Sequence, residues 1–175
     1  MKKIKILPWG KSPGLKIWSE EIFCTGLAVN MDGQFPVMKD SGFGRHLPTV
    51  ARTTGSPIHY SYCQILNEIF AISDIRSEYA FNVGFFEVGD GREGIHDTYL
   101  LTAMSLPAKA IFYQSTMVEW FSWDALLDSF KDSNSKWFAP QKEGILQYHR
   151  EFAIAIEKCQ KRALKNKKDL YSKID

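Results

Sequence analysis

Ten consecutive residues, Tyr79 to Val88 (YAFNVGFFEV), carry aromatic and β-branched side chains so densely that they read as a buried strand, and a buried strand needs a sheet around it. The run ends in Gly89-Asp90-Gly91-Arg92-Glu93-Gly94, a turn by composition. Ile95 to Met104 follows. Its pattern is ambiguous between strand and helix, and reading it as a strand closes a hairpin on Tyr79 to Val88, with Lys109 to Ser115 expected as a third neighbour.

The first forty residues extend the strand pattern. Lys3 to Leu7 and Leu15 to Phe23 are short apolar-rich runs parted by Pro8-Trp9-Gly10 and Pro13-Gly14. Leu27 to Met31 and Gln34 to Met38 flank Asp32-Gly33, a dipeptide that favours a hairpin between them. Pro36 cannot donate to a ladder, which assigns its strand to an edge or a bulge.

Helical signals alternate with these. Residues 39 to 57 read as a loop that closes on Ser56, an N-cap residue, and Pro57, suited to the first helical position. Ile58, Tyr62, Ile65, Leu66, Ile69 and Ile72 then recur at helical spacing and predict a helix over 57–73. Ser122 reads as a second N-cap, with Phe121 and Leu126 at the two positions of a hydrophobic staple and Leu126, Leu127 and Phe130 facing inward. A polar break at Asp132-Ser133-Asn134-Ser135 precedes Pro140, which opens a last helix. Its expected seam is Ile145, His149, Phe152, Ile156, Cys159 and Ala163.

These elements predict one α+β domain over residues 1–175: a mostly antiparallel sheet covered by the central helix and the long C-terminal helix, with residues 165–175 a fraying basic tail. An apolar share of 45% and a charged share of 24% suit an ordinary folded chain. The chain shows no internal repeat and no apolar run near the ~20 residues a membrane span needs. Pro8 interrupts Met1 to Trp9 before any apolar run of signal-peptide length. Cys24, Cys63 and Cys159 are odd in number and widely spaced, which fits neither a disulfide framework nor a zinc motif. The expected compartment is therefore a reducing cytoplasm, with no membrane partner.

Charge is uneven along the chain. Residues 158–175 hold seven bases and two acids, leaving fifteen bases and eighteen acids in 1–157. A mildly acidic body carries a basic tail, whose lysines suit a solvated helix end and, as a further alternative, nucleic-acid phosphates.

Two constellations carry candidate chemistry. From Ser41 to Asn67 there is no acid, and Arg45, His46, Arg52, Thr53, Thr54, Ser56 and His59 gather ahead of and into a capped helix start. Free N–H groups and the positive end of the helix dipole make such a place an anion site. Its spacing matches neither a P-loop nor a dinucleotide fingerprint. Further along, Glu119, Trp120, Trp123, Asp124 and Asp128 combine rings with acids in a stretch, Phe112 to Phe130, that lacks any base. Nucleic-acid platforms interleave bases with rings, so this face reads as core or as a surface for another protein.

Other groupings are weaker. Cys63 with His59 one turn away, or with His96 and Asp97, would be a thiol nucleophile, but a cysteine within an apolar helix is ordinarily a small core residue. Asp90, Glu93, His96 and Asp97 lack the alternation of a calcium loop, so no metal is expected, and no cofactor motif is present. The leading expectation is a small intracellular protein-binding module of inhibitor or immunity type. The alternatives are a phosphate-handling enzyme or nucleotide binder using the Arg45/His46/Arg52/His59 region, and a nucleic-acid binder using the basic helix.

Overall fold

The computed structural model describes residues 4–6, 19–40, 44–51, 58–71, 80–89, 96–107 and 116–171. Within them the chain forms β1 (Ile4–Ile6), β2 (Ser19–Val29), β3 (Phe35–Asp40), β4 (Gly44–His46), β5 (Thr49–Ala51), α1 (Ile58–Phe70), β6 (Ala80–Gly89), β7 (His96–Ser105), β8 (Val118–Phe121), α2 (Trp123–Lys131), α3 (Ala139–Gln147) and α4 (His149–Tyr171). Two sheets result, a five-stranded one in the order β1-β6-β7-β2-β5 and a three-stranded one in the order β4-β3-β8. Mixed α and β content with mostly antiparallel pairing makes this an α+β fold, as the sequence predicts.

The expected hairpin forms. β6 and β7 pair antiparallel from Ala80 opposite Met104 to Gly89 opposite His96. On its other side β7 is joined by β2, in parallel, from Ser19 opposite His96 to Val29 opposite Ser105. Residues 109–115, expected beside the hairpin, lie outside the described residues.

The five-stranded sheet is apolar on both faces. Along β7, Tyr99, Leu101 and Ala103 belong to one core and Met104 to the other, the alternation of a strand. A register shift between Asn82 and Gly84 in β6 changes the phase, so that Phe81 before it, Val83 within it and Phe86 and Val88 after it all join the first core. Helix α1 covers the other face with Tyr62, Cys63, Leu66 and Phe70, packed on Cys24, Ala28 and Met104. Helices α2, α3 and α4 cover the first face through Leu126, Phe130, Ile145, Phe152, Ile156 and Cys159.

Several boundaries differ from expectation. The runs read as ending at Phe23 and starting at Leu27 are one strand, β2, since Cys24, Thr25 and Gly26 continue the ladder with β7. Asp32-Gly33 does turn the chain, with Gly33 at φ 74° and the Asn30 side chain accepting the N–H groups of Asp32 and Gln34 at 3.0 and 2.9 Å. It makes no hairpin: β2 pairs in one sheet and β3 in the other, so the turn carries the chain between sheets. Pro36 lies in the middle strand of its sheet, at an end where β8 alone runs alongside, because β4 pairs only with Met38 to Asp40. The missing N–H therefore meets no partner strand.

The stretch 39–57 is not all loop, since it supplies the end of β3 and two short strands, one for each sheet. Helix α1 stops at Phe70 rather than near Ser73, because Ala71 takes a left-handed backbone with φ 50°. The last helix is two. A break at Tyr148 (φ −103°, ψ 26°) separates α3 from α4 and slips the helical phase, so that Tyr148 is buried and His149 exposed, the reverse of the expected seam. Helix α4 then runs to Tyr171. No described helix is long and apolar enough to cross a membrane.

Candidate functional site

Strand alternation splits the first constellation. Arg45 and His46 are neighbours on β4, so their side chains leave opposite faces. The Arg45 guanidinium donates to the Glu119 carboxylate at 2.8 Å, lies 5.5 Å from the centre of the Phe121 ring and also donates to the Ser135 hydroxyl. Lys39 reaches the same carboxylate at 2.6 Å. Partial burial works against the Glu119 charge, but the hydrogen bonds from Arg45 and Lys39 outweigh it and hold the carboxyl below the ordinary range.

His46 instead lines a cavity of about 200 Å³ together with Phe23, Thr49, Tyr99, Phe138 and Gln141. The cavity sits where the chain crosses from β4 to β5, that is, from one sheet to the other. Its floor is a ladder of rings. Phe23 of β2 and Phe86 of β6 lie opposite Tyr99 of β7 from its two sides. Ring centroids are 4.8 Å apart for Phe23 and Tyr99 and 4.9 Å for Phe86 and Tyr99, with interplanar angles of 18° and 2°. Phe138 stands tilted 6.3 Å from Tyr99. It is placed by two backbone hydrogen bonds that tie its segment to β4, Arg45 N–H to the Lys136 carbonyl (2.8 Å) and Phe138 N–H to the Arg45 carbonyl (2.9 Å).

A polar network closes the cavity. Gln141, 1% exposed, accepts the Leu47 N–H at 2.7 Å and donates to Thr49 Oγ1 at 2.6 Å and Thr25 Oγ1 at 3.3 Å. Thr25 donates to the Pro48 carbonyl at 3.1 Å. The crossing segment Leu47-Pro48-Thr49 is thereby held by a helix residue 92 or more positions away in sequence. Gln141 was not legible as a site residue. Its one signal is an amide in the first turn after Pro140, where the helix begins against the sheet.

The remaining candidates fall elsewhere. Arg52, Thr53, Thr54 and Ser56 lie outside the described residues, and His59 is on the first turn of α1. Trp120 and Trp123 are on β8 and α2. Trp120 stacks on Phe70 at 5.7 Å, and Trp123 tilts against Phe152 at 6.1 Å, so both rings anchor a core. Asp124 and Asp128 are exposed, Asp128 beside Lys131 at 3.0 Å. All three thiols are buried. Burial pushes Cys24 and Cys159 up to about 12 and Cys63 up to about 11, far from the range of a nucleophilic thiolate. Among the described residues no three of His, Cys, Asp and Glu are grouped as a metal site.

No family model matches the chain, and no curated protein is similar to it in sequence. The fold has counterparts among solved structures. The C-terminal domain of mouse MUTYH, from its complex with human PCNA, superposes with a TM-score of 0.52 at 18% identity over 75% of this chain and 88% of that one. NrtR of Shewanella oneidensis gives a TM-score of 0.49 at 11% identity, over 73% of this chain and 63% of that one. C. elegans Ap4A hydrolase gives 0.48 at 12% identity, over 77% and 96%. At 18% identity the first of these shows a shared fold.

Proposed function

We propose that the protein binds a nucleotide, or a ligand of the same chemistry, with its planar ring in the cavity between Phe23 and Phe138. The observation that carries this reading is the ring ladder. Tyr99 is flanked on both sides, whereas Phe23 ends the ladder in the cavity, so a flat ligand there extends a stack already formed. A cavity of about 200 Å³ suits a single ring system more than the drug-sized ligands that fill roughly 300–1,000 Å³. Arg52, three residues after Thr49 of the cavity wall, opens the part of the acid-free stretch that also bears Thr53, Thr54, Ser56 and His59, and in this reading that part takes the phosphate. Arg45, held by Glu119, does not take part.

The protein-binding reading draws less support. Of its five residues, both tryptophans are packed on a core and Glu119 is paired, leaving Asp124 and Asp128 outward.

Calorimetric titration with nucleosides and their monophosphates tests the proposal. Both should bind, the monophosphates more tightly. Phe23→Ala should weaken both by roughly 5- to 150-fold, the worth of one stacked base at about 1–3 kcal/mol. Undiminished binding in that variant would move the site elsewhere.

A further inference from the structure

The cavity's polar atoms are not equally available. Gln141 spends both amide hydrogens on Thr49 and Thr25 and its oxygen on Leu47 N–H. Thr49 Oγ1 already accepts from Gln141, and its single proton goes to the Leu47 carbonyl or to Thr25 Oγ1, each 2.9 Å away. Phe23 and Phe138 offer only ring faces and edges, and Tyr99, the other ring of the lining, is already engaged between Phe23 and Phe86. His46 differs. Its Nδ1 lies 3.3 Å from the Gly44 carbonyl, an acceptor, so Nδ1 carries the hydrogen and Nε2 of the neutral ring is left with a lone pair.

Resting on the reading that a planar ring occupies this cavity, we infer that the ligand is a nitrogen heterocycle presenting an N–H donor, an exocyclic amino group or a lactam N–H, to Nε2 of His46. His46 is then the specificity-determining residue of the site, and Gln141 a positioning residue that holds the wall. The tautomer sets the direction: a neutral imidazole whose Nδ1–H is committed to a carbonyl accepts at Nε2. A ligand of the same shape whose N–H groups are methylated brings an apolar edge to that lone pair and loses one neutral hydrogen bond, about three- to tenfold in affinity.

The test compares adenosine with its N6,N6-dimethyl derivative, and inosine with its N1-methyl derivative, on the wild-type protein and on His46→Phe, which keeps a planar ring in the wall but removes the acceptor. For the wild type, each N–H ligand should bind about three- to tenfold more tightly than its methylated partner. In His46→Phe the ratio should fall to about one while the methylated ligands retain their affinity. Equal wild-type binding within each pair, or a ratio unchanged in His46→Phe, would overturn the role of His46 and leave the ring-binding reading intact. Absence of binding by all four ligands would overturn that reading and this inference with it. Should His46→Phe fail to fold by amide spectra, the wild-type ratios alone decide.

Discussion

The Gln141 side-chain oxygen, on helix α3, accepts the backbone N–H of Leu47 at 2.7 Å in the segment that crosses between the two sheets. Leu47 is fully buried and none of the described strands pairs with it, so this amide answers a donor that those strands leave unmet. Gln141→Leu keeps the volume and strands that donor, while the hydroxyls of Thr25 and Thr49 lose one donor and keep their bonds to the Pro48 and Leu47 carbonyls. It should cost about 1–3 kcal/mol, read as a lowered midpoint in urea with unchanged slope. Nucleoside binding should weaken together with it, since His46 adjoins Leu47 and Thr49 lies two residues beyond it.

Tyr148 and Gly84 interlock in the same way on the other side of the α3–α4 break. A Cβ on Gly84 would stand 2.5 Å from the Tyr148 ring, whose hydroxyl donates to the Phe85 carbonyl at 3.1 Å. Gly84→Ala should destabilise by about 1–3 kcal/mol through overpacking. Tyr148→Phe should cost about 1 kcal/mol, the net worth of a neutral hydrogen bond. Thermal or denaturant unfolding of both variants measures the difference, and Gly84→Ala combined with Tyr148→Ala should recover part of the Gly84→Ala loss if the clash is its cause.

How far the sequence discloses all this depends on the range of the interaction involved. Local signals were reliable: Ser122 does cap α2, accepting the Ala125 N–H at 3.2 Å, and Leu126 is buried as the staple requires. Side-chain density marked β6, whereas β7 was open between strand and helix and was read as a strand to close the hairpin. Asp32-Gly33 shows the limit, because a turn signal fixes the bend and not which strands pair beyond it. The end of α1 at Ala71 was hidden since nothing in an alanine announces a left-handed backbone. The phase slip at Tyr148 brings its ring against Gly84, 64 residues earlier, a contact outside any local pattern. At the candidate site, His46 was read beside Arg45 as an anion ligand, and its separation from Arg45 follows from strand alternation once β4 is known. The ladder of Phe23, Tyr99 and Phe86 required the order β6-β7-β2, which no local pattern contains.

Glu119 should make stability depend on pH in the acid range. Its folded carboxyl titrates below the unfolded one, so its contribution is full above the unfolded value near 4.5 and is lost as pH falls through the folded value. With the pair partly exposed, Glu119→Gln should cost roughly 1 kcal/mol at pH 7. The gap between variant and wild type should close as pH drops below 4.5, measured by urea unfolding at a series of pH values.

The buried thiols should be silent in the native state. With Cys24 and Cys159 raised to about 12 and Cys63 to about 11, almost no thiolate forms at pH 8, and access is closed. Reaction with a disulfide reagent at pH 8 should proceed at the rate of unfolding and release three equivalents quickly in denaturant. The unfolded thiols ionise first, near 9.0, so stability should decline as pH rises above that value.

Intermolecular nuclear Overhauser effects between adenosine ring protons and the protein's aromatic side chains test the central claim most directly. They are expected from the adenine protons to Phe23 and Phe138, which both line the cavity, and not to Trp120 or Trp123. Saturable binding whose contacts bypass Phe23 and Phe138, or no binding of any nucleoside at millimolar concentration, would contradict it.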